Sequence, residues 1–214
     1  THYRVSLKSN KQINSSDLIL VDSGGQYLEG TTDVTRTLIK GRALTEHKFF
    51  YTKVLQGLIF LSKLSWPEGL TGRELDPLAR YFLWEYNLDY QHGTGHGVGV
   101  FSNVHQGPQG ISRLNEIPLK PGMILSIEPG IYLEGKLGIR LENLAFVKKH
   151  KNGARENREF LEFETLTLVP FEKNLIEKKL LSTDEVKWIN AYHQNVYKKL
   201  SPYLLGSEIS WLRK

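Results

Sequence analysis

Hydrophobic residues recur along the chain in two rhythms, and the switches between them predict its elements. The stretch "DLILVDSGGQYLEG" is an apolar run that ends at Asp22 and meets a Gly-Gly pair, which predicts a strand entering a hairpin. "DVTRTLIKG", Asp33 to Gly41, is rich in β-branched residues and predicts another strand. Thr45 offers an N-cap, and apolar positions then recur at helical spacing to Leu64. "TGRELDPLARYFLWEYN" predicts a second amphipathic helix, with Pro77 early in it. A glycine-rich segment with histidines follows. "GMILSIEPGIYLEGKLGIRLENLAFVKK" predicts three short strands joined by glycine turns, and "FLEFETLTLVP" alternates as one more. Ser182 to Leu200 begins like a capping box and stays helical, and "SPYLLGSEISWLRK" predicts a short closing helix. No low-complexity linker interrupts this order.

Composition narrows the class. A chain of 214 residues suits one sizeable domain with a real core, and 40% hydrophobic with 24% charged residues is ordinary for a globular protein. The absence of cysteine excludes disulfides, thiol nucleophiles and thiolate metal sites, and it fits a reducing, cytoplasmic compartment. The net charge of +5 is scattered and reads as a Lys-rich solvated surface. Its densest cluster, "KKHKNGAR" from Lys148 to Arg155, carries Gly and Asn like a loop. With no nucleic-acid module signature, no nucleic-acid partner is expected. No apolar run approaches the ~18 residues of a membrane span, so no membrane partner is expected either. The chain opens "THYRVSLKSN", without Met or a signal-like apolar region, and reads as part of a longer chain. Neither GxSxG nor a Walker A loop is present.

The chemistry concentrates in "HGTGHGVGVFSNVHQGP", His92 to Pro108, which holds three of the seven histidines. His92 and His96 have the spacing of a helical metal pair, but Gly93, Gly95 and Gly97 argue against a helix, since each glycine costs about 1 kcal/mol there relative to alanine. The segment reads instead as extended or irregular strand whose glycines admit close approach of backbone or ligand. By itself it leaves open a glycine-rich turn with satisfied histidines. The acids change that. Asp22, Asp33, Glu128 and Glu142 sit within or at the ends of predicted strands, among apolar neighbours. A carboxylate there must be paired, hydrogen-bonded or metal-bound, because an isolated buried charge costs several kcal/mol. One such residue is usually an ion pair; four with a glycine-flanked histidine make a ligand set. The oxygen-rich set suits Mn, Co, Fe or Mg better than a structural zinc. Four carboxylates also balance two divalent cations, which points to ions about 3.5–4 Å apart.

In combination these blocks resemble the catalytic domain of the aminopeptidases P, the Xaa-Pro aminopeptidases, among the metallopeptidases of pita-bread fold. "LVDSGGQYLEGTTDVTRT" is similar to the family's two-aspartate block, and "HGTGHGVGVFSNVHQGPQGI", "PGMILSIEPGIY" and "GIRLENLAFV" to its histidine and two glutamate blocks. "FEFETLTLVP" and "STDEVKWINAYHQNV" resemble the C-terminal extension of the longer enzymes. The resemblance implies an α+β fold: a curved, mostly antiparallel sheet with helices on its outer face and a short helical extension. The catalytic domain would span 1–170 and the extension 171–214, with the creatinase-like N-terminal domain or domains absent from this chain. It implies Asp22, Asp33, His96, Glu128 and Glu142 as metal ligands, Asp33 and Glu142 bridging two divalent ions. Asp22 would hold one ion alone, and His96 with Glu128 the other. The ions would be Mn first, with Co, Zn or Fe as alternatives. Glu128, His92 and His105 are implied as catalytic, and His2, His92, His105 and Arg140 as substrate-binding.

The implied activity is hydrolysis of the N-terminal Xaa-Pro bond of peptides with proline second, by a hydroxide bridging the two ions, with Glu128 carrying the proton to the leaving nitrogen. Homodimers are common in the family. Arg140 lies two residues before Glu142, so on a strand it points into the same cleft and can orient a ligand carboxylate. Arg36 in "TRT" is a second candidate for that role. Prolidase, which uses the same ligands on Xaa-Pro dipeptides, is an alternative; "VHQGPQGI" and the C-terminal extension favour aminopeptidase P. A non-catalytic pita-bread module binding histones or nucleic acid is another, but such modules typically lose ligands, and all five are here.

Overall fold

A computed structural model describes residues 6–101, 103–155 and 158–213, and the fold is α+β as expected. In chain order the elements are β1 (Leu18–Gln26), β2 (Thr31–Ile39), α1 (Thr45–Lys63), β3 (Ser65–Pro67), α2 (Gly72–Trp84), β4 (Gly95–Val98) and β5 (His105–Ile111). There follow β6 (Ile124–Ile127), β7 (Gly130–Leu133), β8 (Leu137–Arg140), β9 (Asn143–Arg155), β10 (Arg158–Thr165), α3 (Thr183–Leu200) and α4 (Gly206–Leu212). β1 and β2 form one antiparallel hairpin, β7 and β8 another, and the remaining strands one sheet in the order β3-β10-β9-β6-β4-β5.

Three expectations need correction. The segment from Gly122 to Lys149 carries four strands, β6 to β9, not three. Its alternation runs on through Pro129, Leu141 and Glu142, so the apolar pattern does not mark the breaks. Pro129 breaks the ladder because it has no N–H to donate. Thr45 is the first residue of α1 rather than its cap; the cap position is Leu44, with extended backbone and no side-chain bond to the helix. The basic cluster from Lys148 is strand, not loop. Lys148 meets Glu162 at 3.2 Å and Glu164 at 2.8 Å across the β9–β10 pair, so its charge is spent on a cross-strand ladder.

Helix α3 starts on a reciprocal capping box, Ser182 with Glu185, as its sequence pattern predicts, and α2 on half of one, the Thr71 amide donating to the Glu74 carboxylate at 2.6 Å. The core lies between the helices and the sheets. Tyr51, Leu55, Leu58 and Ile59 of α1 pack with Leu75, Ala79 and Leu83 of α2, and α1 also touches β6, β7, β8 and β10. Each buried leucine or isoleucine contributes roughly 1.5–3 kcal/mol. Gly57 makes this possible: a Cβ there would lie 2.3 Å from the Ala79 carbonyl oxygen, so α1 and α2 meet backbone to backbone. With α1 and α2 packed on the strands, residues of β1, β2 and β4 converge with those just past β6 and β8.

Candidate metal centre

The hairpin register decides where the aspartates go. Asp22 stands opposite Thr35 and Gly24 opposite Asp33, so Asp22 and Asp33 are diagonal neighbours on one face. Facing them are His96 from β4, Glu128 just past β6 and Glu142 just past β8. Ligand atoms of Asp22, Asp33 and Glu142 lie within 4.8 Å of one another, and so do those of His96, Glu128 and Glu142. Glu142 belongs to both triads. Asp33 also forms a group with His96 and His105. Glu142 is 2% exposed and Asp33 8%, while the Asp22 side chain, 53% exposed, stands at the open edge.

Hydroxyls fix these carboxylates. The Thr35 hydroxyl donates to Glu142 Oε2 at 2.7 Å, and the Ser126 hydroxyl donates to Glu128 Oε1 at 3.0 Å while accepting the His96 amide at 2.9 Å. Thr35 is two residues from Asp33 and Ser126 two from Glu128. The two-residue period of a strand was the available signal for both, and reading acids alone missed them.

His96 is the most informative side chain. Its Nδ1 lies 2.9 Å from the Gly97 carbonyl, which can only accept, so Nδ1 carries a proton. Its Nε2 is buried without an aligned hydrogen-bond partner among the described residues. That atom sits 3.4 Å from an Asp33 oxygen and 3.3 Å from a Glu128 oxygen. A neutral ring would aim its lone pair at two carboxylates, so either a proton or a cation must lie between them. Protons do so in the metal-free chain. Burial pulls the His96 ring down, but Asp33, the Gly97 carbonyl and the charges of Glu128 and Glu142 outweigh it and lift the ring to about 9. Burial pushes Glu128 up to about 7 against the pull of His96, Ser126 and Arg140. Burial, then the charges of Glu128 and Asp33, push Glu142 up to about 8.

A second chain of contacts runs along the open side. Arg140 donates to Asp22 Oδ2 at 2.6 Å, to the Thr35 hydroxyl at 3.2 Å and to the Tyr132 hydroxyl at 2.9 Å. The Tyr132 hydroxyl lies 2.9 Å from His92 Nε2, and His92 Nδ1 faces the Gly93 carbonyl at 2.7 Å, so the neutral ring accepts from tyrosine. Tyr132 was not singled out from sequence. It reaches Arg140 because Gly130 pairs with Arg140 across β7–β8, a register that residue types do not announce. His105 packs its ring 4.0 Å from that of His96. His92, His96, His105, Glu128, Asp22 and Arg140 line a cavity of ≈ 210 Å³, which shares Asp22 and Arg140 with an open cleft of ≈ 1180 Å³. His2 lies outside the described residues.

The reading of Arg36 as an orienter of a ligand carboxylate is overturned. Next to Thr35 on the strand, it points to the opposite face, where it is buried. There it donates to the main-chain carbonyls of Glu142 at 2.5 Å, Val169 at 2.7 Å and Pro170 at 3.2 Å, and to the Tyr192 hydroxyl at 3.0 Å. It braces the site from behind and touches none of the carboxylates in front.

Glycine supplies the room in front. A Cβ on Gly95 would lie 1.9 Å from the Ser126 carbonyl oxygen, so β4 rests directly on β6 and delivers His96 to Glu128. Gly95→Ala should therefore lower stability by about 2–3 kcal/mol through overpacking and pull His96 away from Glu128. Thermal melts with and without Mn(II) check this; an unchanged Tm with unchanged metal stabilisation would contradict it.

Comparison with known proteins agrees with this geometry. A profile of metallopeptidase family M24 matches residues 1–149, and one for the C-terminal region of peptidase M24 matches residues 159–214. The chain is 45% identical over 219 residues to the probable Xaa-Pro aminopeptidase P of Laccaria bicolor, covering 100% of this chain and 34% of that protein. It thus spans about a third of the length of the curated relatives it matches. Among solved structures, the X-prolyl aminopeptidase of Caenorhabditis elegans, described as a cytosolic enzyme with a di-nuclear active site, superposes with a TM-score of 0.91 at 39% identity. That match covers 99% of this chain and 35% of the other. The prolidase of Pyrococcus horikoshii superposes with a TM-score of 0.59 at 36% identity over 64% of this chain and 39% of its own.

Proposed function

The chain belongs to metallopeptidase family M24, and on that premise we propose that its cleft holds two divalent metal ions and cleaves the bond between an N-terminal residue and a following proline. The His96 Nε2, buried between two carboxylates and without an aligned hydrogen-bond partner among the described residues, is the observation that carries the reading, because it is a ligand atom in need of a cation. Asp33 and Glu142 would be shared by the two ions, Asp22 would hold one alone, and His96 with Glu128 would hold the other. Four carboxylates and one imidazole make a hard donor set, so Mn(II) is the proposed ion. When bound, the pair supplies Lewis-acid polarisation of the peptide carbonyl and a water acidified towards neutrality.

The chain's own groups do the rest. Thr35 and Ser126 hold Glu142 and Glu128 at fixed angles, so no reorganisation is needed on binding. Glu128 takes the proton of the attacking water and delivers it to the proline nitrogen as the bond breaks. That nitrogen is a tertiary amide in the substrate and leaves only when protonated. His92 and His105 face the cavity from one side and steady the substrate about the scissile bond. Arg140 keeps Asp22 oriented and, through Tyr132, sets His92 in the tautomer that accepts at Nε2. A cytoplasmic location is part of the proposal, supported by the C. elegans protein; no described helix is long and apolar enough to cross a membrane.

The longer superposition on the X-prolyl aminopeptidase, which includes the C-terminal region, favours cleavage of peptides over the prolidase alternative of Xaa-Pro dipeptides. The test is Mn(II) titration followed by assays on Arg-Pro-Pro, Arg-Ala-Pro and Arg-Pro. Two ions per chain and cleavage of Arg-Pro-Pro alone are expected. Equal cleavage of Arg-Ala-Pro would refute the proline requirement, and cleavage of Arg-Pro alone would mark a prolidase. A folded chain that takes up no metal would end the reading altogether.

A further inference from the structure

We infer that the buried Arg80–Asp76 pair of α2 is a positioning device for the histidine segment, fixing where His92 and Thr94 stand relative to the cleft. The kinetic part of its test rests on the peptidase reading above; the spectroscopic part does not. Arg80 is 2% exposed and Asp76 0%. All five N–H donors of the guanidinium are used. Nε and Nη2 reach the two Asp76 oxygens at 2.7 and 3.0 Å, Nη1 reaches Asp89 at 2.8 Å and the Tyr90 carbonyl at 2.7 Å, and Nη2 reaches the His92 carbonyl at 2.7 Å. The Tyr90 ring lies 3.9 Å from the guanidinium, and the His92 ring packs on Tyr90 at 4.8 Å.

Asp76 extends the device to the other side. The Thr94 hydroxyl donates to Asp76 Oδ1 at 2.6 Å and shares a bond of 2.5 Å with the Tyr90 hydroxyl. The Thr94 carbonyl in turn accepts the Glu128 amide at 2.7 Å. One cation therefore grips the main chain at His92 and, through Asp76 and Thr94, the main chain that carries Glu128. Packing alone does not call for this, because an apolar pair of similar volume would fill the space without desolvating two charges. What an apolar pair could not do is address two carbonyls, a carboxylate and a hydroxyl at fixed angles. The segment needs such a grip from outside, since Gly93, Gly95 and Gly97 have no side chains with which to anchor it. Lysine could not substitute, having three donors and no planar fork.

The test uses Arg80→Lys, Thr94→Val and Thr94→Ser. On the Mn-loaded chain it reads kcat, KM and bound metal with Arg-Pro-Pro; on the metal-free chain it reads the ring-nitrogen NMR of His92. Arg80→Lys and Thr94→Val should keep two ions and nearly the same KM while kcat falls by about 10²-fold, the scale of a small misplacement. Thr94→Ser should restore most of it. His92 should show one tautomer in the wild type and a mixture in the two damaging variants. A folded Arg80→Lys with wild-type kcat and a single His92 tautomer would overturn the inference. If Arg80→Lys does not fold, the Thr94 variants, which leave the ion pair intact, decide it by the same readings. If the wild type binds two ions yet leaves the peptide intact, the peptidase reading fails, and an unchanged His92 spectrum in the variants would sink the positioning device independently.

Discussion

Glu142→Ala is expected to empty the cleft: bound Mn(II) should fall from two ions per chain to less than one, and Arg-Pro-Pro cleavage by more than about 10³-fold. The magnitude follows from Glu142 belonging to two of the three metal-type groups among the described residues, so its loss removes a candidate ligand from each. A single shared carboxylate should therefore matter more than Asp22, which stands exposed at the edge of one triad. Glu142→Gln separates the metal effect from packing. It keeps the shape and the Thr35 contact but cannot balance cationic charge. In the metal-free chain it removes a carboxyl that burial holds up at about 8, so at pH 9 the apo variant should melt above the apo wild type. Elemental analysis and melting curves on the same samples give both numbers. Retention of two ions by either variant would remove Glu142 from the centre.

The metal-free wild type should lose stability as pH rises from about 5 to about 9. Glu128 and Glu142 carry protons in the fold up to about 7 and about 8 that the unfolded chain releases near 4.5, and His96 holds one to about 9 that the unfolded chain releases near 6.5. In each case the native state binds more protons, so raising the pH favours unfolding. His193, lowered by burial and by Arg36, works the other way below its ordinary value, which flattens the acid end of the curve. Metal reverses the trend. Ions compete with those same protons for His96, Glu128 and Glu142, so affinity should climb steeply over this range, with up to three protons released. Calorimetry in buffers of different ionisation enthalpy counts the protons. A Tm of the apo chain that rises from pH 5 to 9, or metal uptake without proton release, would contradict the electrostatics of the cleft.

What could be read from the sequence was chemistry carried by residue type and period. The Asp22 and Asp33 strands, the helices at α1, α2 and α3, and the grouping of Asp33, Glu128 and Glu142 with a glycine-flanked histidine follow from alternation, glycine and the cost of buried charge; Asp22, its side chain 53% exposed, does not bear out the burial argument. What could not be read was pairing. Tyr132 reaches His92 only because β7 and β8 pair with Gly130 against Arg140, and Arg80 reaches the His92 carbonyl only because α2 lies beneath the segment. Arg36 was legible and misread. A basic residue near an acidic ligand looks like its partner, yet the side-chain alternation of β2 sends it to the opposite face. With Asp33 on the ligand face, the two-residue period already places Arg36, three residues on, on the other.

Arg36 also bears on how such a protein can change over time. Its donors end on the Val169 and Pro170 carbonyls and on the Tyr192 hydroxyl, while one of them holds the main chain of Glu142. The region after residue 159 is therefore not a detachable module. Without it a buried guanidinium would be left short of acceptors directly behind Glu142. Shortening the chain at residue 159 would therefore call for a second change at Arg36 if the main chain at Glu142 is to keep its place.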